Sequence, residues 1–163
     1  MVLPAEVPPP SIGFLIWHLS MKWRAALDRE LAPLGLTSAQ YALLASLYGL
    51  TQGGGQPSQR ELADFSGLDS MYVSKLVRVL ERADLVERAR NPADTRAVAL
   101  TITARGAQIV TAARAKVLRL EEQRLAVLGG RSSQQSAMLR EALGVLLRQA
   151  IETSDGQPSA DRP

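Results

Sequence analysis

The chain has 163 residues, 46% of them apolar and 21% charged, with a formal net charge of +3 and a sequence pI near 9.7. This is a globular composition with enough length to bury a core, and the charge permits a polyanionic partner without requiring one. Cysteine is absent and histidine occurs once, which excludes disulfides, thiol redox sensing and thiolate catalysis and argues against a dedicated zinc site.

The opening MVLPAEVPPP carries neither a basic n-region nor an apolar h-region, so no signal peptide is expected there. No apolar run approaches the roughly 20 residues that span a bilayer, and a cytoplasmic protein is expected. Residues 1–10 and 153–163 have the composition of flexible tails.

A first helix is predicted from Ser11 to about Ala32, ended by Pro33 and Gly35. It carries two apolar stripes. One is formed by Ile12, Ile16, Leu19, Trp23 and Ala26, the other by Phe14, Trp17, His18, Met21 and Ala25. A second helix opens at Thr37, where T-S-A-Q forms a capping box, and ends in the glycine-rich TQGGGQP. A second capping box, Ser58 to Glu61, opens a short helix closed by Gly67. Asp69 then caps SMYVSKLVRVLERA. Two short helices joined by a turn of about four residues outline a helix-turn-helix.

Within that second helix Val73, Leu76, Val77 and Leu80 share one face and are assigned to the core. The opposite face carries Met71, Lys75, Arg78 and Arg82, flanked by Tyr72 and Ser74, with Ser70 in the first turn. Hydroxyls, cations and a methionine suit phosphates, guanine acceptors and thymine methyls in a major groove. A solvated amphipathic helix would carry the same exposed cations.

After Ala83 the period changes to two. Val98, Leu100 and Ile102 form a half-buried strand, LVERAR is its partner, and NPADT makes the turn. Between Arg88 and Arg105 four arginines face one acid, Asp94. A basic ribbon following a helix-turn-helix reads as a wing, whose tip arginine suits the electronegative minor groove. Asp94, two residues from Arg96, either orients that guanidinium or serves only as a turn residue. Thr103 is placed to cap a long helix from about Ala104 to Leu128, stopped by Gly129 and Gly130. A last helix, Ser133 to Ile151, carries Leu139, Ala142, Leu143, Leu146, Leu147 and Ala150 in one stripe. On a monomer that stripe would be an exposed patch, so burial against a twofold mate is expected.

The run LDSMYVSKLVRVLERADLVERARNPADTRAVALTITARG resembles the recognition helix and wing of MarR-type winged helix-turn-helix regulators. Asp94-Thr95-Arg96, Leu100-Thr101 and Gly106 match that family's wing signature, and the likeness extends to GLTSAQYALLASL and the flanking long helices. The resemblance implies a mainly α fold with a small β-hairpin wing: a dimerisation helix at 11–36, a winged lobe at 37–103 and dimerisation helices at 104–152. It implies a homodimer addressing a near-palindromic duplex, with recognition helices about 34 Å apart.

Ser70, Tyr72, Ser74 and Lys75 match the family's major-groove readers and Arg96 its minor-groove arginine. Met71, Arg78, Ser58, Gln59, Arg90 and Asp94 complete the candidate DNA-binding set. Tyr72 departs from the small hydroxyl residue common at its position, and the three glycines before Ser58 depart from the short strand usual there. Phe14, Trp17, His18 and Met21 either pack against the mate or line a pocket for a small aromatic acid or phenol, a ligand class common in the family. No cofactor is implied.

An enzyme is not expected: the chain has no G-x-S-x-G elbow, no P-loop lysine after TQGGGQP and no H-E-x-x-H. The competing classes are a ligand-independent DNA-binding regulator and a winged-helix protein–protein adaptor.

Overall fold

In the computed structural model residues 9–90 and 98–155 are described, without the side chains of residues 89, 90 and 153–155. The chain divides into two compact units, Met1–Val117 and Leu118–Pro163.

The first unit begins with α1 (Ile12–Leu31), whose N-cap Ser11 accepts from the Phe14 N–H. A single 3-10 turn (Ala32–Leu34) follows and ends on Gly35 at φ 72°, a left-handed conformation that costs glycine little. α2 (Ser38–Thr51) and α3 (Gln59–Ser66) both start in complete capping boxes, Thr37 with Gln40 and Ser58 with Glu61. α4 (Ser70–Arg82) is capped by the Asp69 carboxylate, which accepts from the Tyr72 N–H at 3.0 Å.

Strands β1 (Val86–Arg90) and β2 (Val98–Ile102) pair antiparallel, Val86 opposite Ile102 and Arg90 opposite Val98. Of the three alternating apolar residues in β2, Leu100 is buried, Ile102 half-buried and Val98 exposed. Ala99 is buried as well, and the chain before α3 lies along the other edge of β2. Ser58 forms an isolated bridge with Ala99, and the Leu100 N–H donates to the Pro57 carbonyl. That single bridge stands where a short third strand was in question.

The core of this unit joins Leu31 and Leu36 to Leu43, Leu44 and Leu47 of α2, Leu62 of α3, and Leu100 of β2. Val73, Val77 and Leu80 of α4 are also fully buried there, as assigned from their spacing, and Leu76 nearly so. Each such side chain contributes about 1.5–3 kcal/mol by leaving water.

α5 (Ala104–Leu125) starts at Thr103, whose hydroxyl accepts from the Gly106 N–H. The helix proper stops at Leu125, and a 3-10 turn (Ala126–Leu128) carries the chain to Gly129, so the expected last turn of α-helix is tighter than α. In the second unit Ser133 caps α6 through the Ser136 N–H, and the Ser136 hydroxyl donates to the Gly130 carbonyl. An ion pair joins Arg131 to Glu121 across this turn. α6 (Gln134–Asp155) runs past the expected end at Ile151: the apolar stripe ends there, but no helix breaker occurs before Gly156. Among the described residues no helix is long and apolar enough to cross a membrane.

Candidate nucleic-acid interface

Burial of Val73, Leu76, Val77 and Leu80 fixes the rotation of α4 about its axis. The face turned outward then presents Ser70, Met71, Tyr72, Lys75, Arg78 and Arg82, all exposed, with Ser74 half-buried at its margin. The sequence-expected reading residues of α4 therefore do lie together. They are not equivalent. The Arg82 guanidinium donates through Nε to the Arg78 carbonyl, which holds it at the end of its own helix. Met71 is 70% exposed and Tyr72 41%, while Asp69 holds the backbone of this first turn.

The wing is fastened to the lobe at its base. Arg88 of β1 pairs with Glu81 of α4 at 3.4 Å, and the Thr101 hydroxyl donates to Glu87 across the strands. The Thr103 hydroxyl also donates to the Asp84 carbonyl at 2.7 Å, and the Thr103 N–H to the Leu85 carbonyl. Together these contacts orient the hairpin relative to α4. Its tip, with Asp94 and Arg96, lies outside the described residues, as does the side chain of Arg90.

Ser58 and Gln59 stand half-buried at the start of α3, beside β2. The Ser58 hydroxyl oxygen already accepts from the Glu61 N–H, leaving its O–H as a donor. In return Glu61 accepts from the Ser58 N–H, which holds the Glu61 carboxyl below its ordinary range. Ser58 thus serves the helix cap first.

Residues 36–98 match the sequence profile of the MarR family. The HTH-type transcriptional regulator YdcH of Bacillus subtilis is 40% identical over 106 residues, covering 65% of this chain and 72% of that protein. The chain belongs to the MarR family. MarR-family regulators are DNA-binding proteins without enzymatic activity. The HTH-type transcriptional repressor Rv2887 of Mycobacterium tuberculosis is 29% identical over 133 residues, 82% of this chain and 93% of that one. A crystal structure of a mutant MarR from E. coli complexed with operator DNA has a TM-score of 0.73 at 26% identity, covering 83% of this chain and 93% of that chain.

Two further groups matter for a MarR-type regulator. On α1 the rings of Phe14 and Trp17 cluster about His18, with centroids 4.9 and 5.3 Å from the imidazole. Phe14, Trp17 and Met21 are half or more exposed, so closing them into a pocket needs another surface laid over them. The second group was not legible in the sequence. A cavity of about 430 Å³ lies between α2 and α5, lined among others by Tyr41, Tyr48, Gln52, Val110, Thr111 and Arg114. Burial pushes the Tyr41 phenol above its ordinary range, and the Arg114 charge acts in the opposite direction. Phenols and a guanidinium from segments far apart in the chain meet there only through folding.

Proposed function

We propose that this chain is a homodimeric, sequence-specific regulator that holds double-stranded DNA with α4 in the major groove and Arg96 of the wing in the minor groove. It acts as a repressor in the cytoplasm and is released by a small aromatic acid or phenol. The observation that carries the reading is the outer face of α4. Four buried side chains leave hydroxyls, a thioether, a phenol and three outward cations on one exposed surface beside a basic hairpin.

Pairing is supported by the apolar side chains left outside the cores. Leu15, Leu19 and Ile12 of α1 and Leu143, Leu146, Leu147 and Ile151 of α6 are 41–71% exposed, and a second copy would take such apolar side chains out of water. Repression is supported by the likeness to the mycobacterial transcriptional repressor. For the ligand, Phe14, Trp17, His18 and Met21 offer an aromatic wall that a second copy would close. The α2–α5 cavity offers a second place, with Arg114 available to a carboxylate. In either place a ligand that prefers one lobe spacing weakens DNA binding through its differential affinity.

Salt tests the reading. Duplex affinity of the full chain should fall steeply with salt, with a log–log slope of about −0.9 per phosphate contact. Arg96→Ala should weaken binding by at least about 1 kcal/mol. A protein–protein adaptor would give no duplex affinity to titrate, and an Arg96→Ala variant that binds like the parent would remove the wing tip from the mechanism.

A further inference from the structure

The outward face of α4 is divided along its length, and the division bears on which bases it meets. Resting on the assignment of α4 to the major groove, we propose that Met71 and Tyr72 read the C5-methyl groups of thymines in each half-site. Apolar contact then selects the bases under the first turn of α4, and the cations beyond it position the helix on the phosphates.

Three observations lead there. Met71 and Tyr72 lie outside the core cluster, whose places on α4 are taken by Val73, Leu76, Val77 and Leu80. With 70% and 41% of their surfaces in water, they gain most from an apolar partner. Next, the charge at this end of the helix is wrong for a phosphate. Asp69 occupies the N-cap, with its carboxylate bound to the Tyr72 N–H, and an approaching phosphate would meet like charge where a helix start otherwise favours anions. The outward cations, Lys75, Arg78 and Arg82, begin a turn later, so the first turn is the part free to approach base edges.

Finally, the chemistry of the groove narrows the choice. Thymine alone presents an apolar group on the major-groove edge; guanine, adenine and cytosine present acceptors and donors. A thioether donates no hydrogen bond and accepts one weakly. Set over a polar base edge, it would strip that edge of water and leave it unpaired, a penalty that discriminates against those bases. The Tyr72 ring adds apolar area, while its hydroxyl keeps a polar tip for the neighbouring edge.

The test uses the full chain and a duplex that it selects, with thymines replaced singly by deoxyuridine, which removes only the methyl. At one or two thymines of each half-site, affinity should fall about three- to tenfold, in line with loss of one buried methyl or slightly more. Met71→Ala should abolish the penalty at one such position, and Tyr72→Ala at the same or an adjacent one, with the salt slope unchanged. Both side chains are exposed, so both variants should unfold at the parent's midpoint. Selective binding indifferent to every deoxyuridine overturns the inference and leaves the DNA-binding reading standing. So does a methyl penalty that survives in both variants. A chain that selects no duplex overturns the DNA-binding reading, and the inference with it.

Discussion

A methyl group added to Gly106 would collide with the carbonyl of Leu85, backbone against backbone, so neither partner can yield by turning a side chain. Gly106 sits in the first turn of α5, where Thr103 has already tied the helix to the Asp84 carbonyl. Its place in the wing signature was legible in the sequence. The reason was not, because Leu85 lies on the opposite strand side of the hairpin. Gly106→Ala should cost about 1–3 kcal/mol of unfolding free energy, as overpacking does, read from denaturant midpoints; a midpoint equal to the parent's would contradict the contact. Tyr72 and Met71 were legible as surface residues from helical spacing alone, since one inward stripe fixes the rotation of α4. For Ser58 the capping box was legible too, and its hydroxyl oxygen accepts there while the O–H remains a donor.

Element boundaries were read well where a local chemical signal marks them. Thr37, Ser58, Asp69 and Thr103 each cap the helix that their sequence announced, because capping depends on residues three apart. C-terminal ends were read less well: α5 gives way to a 3-10 turn before its glycine stop, and α6 runs past the end of its apolar stripe. Long-range contacts were not legible at all: the Ser58–Ala99 bridge joins segments with no shared pattern. A further unannounced contact joins α1 to α2, where the exposed Asp28 carboxylate accepts from the Ser38 N–H at 2.6 Å. That hydrogen bond holds the Asp28 carboxyl below its ordinary range. A depressed folded-state value means stability that is present above the unfolded carboxylate range and lost as pH falls through the folded value. Asp28→Asn should therefore be modestly less stable than the parent at neutral pH, with the gap closing on acidification. Paired unfolding curves check this, and a gap that does not change with pH would contradict it.

For the molecule as a whole, the most telling feature is apolar surface that its own cores leave uncovered. Both stripes of the N-terminal part of α1 and the leucines of α6 are exposed, although their periodicity predicted buried faces. That uncovered surface supports the proposed pairing with a second copy, which would carry two α4 helices to one duplex. The α2–α5 cavity belongs to this level as well, since its lining is assembled by tertiary packing. Selection of duplexes from a random pool by the full chain probes pairing and base reading at once. Enriched molecules should share an inverted repeat whose halves are centred roughly 10–10.5 base pairs apart, with retention that weakens as salt rises. A pool that emerges without any common sequence, or with a lone unrepeated half, would contradict a paired reader of DNA.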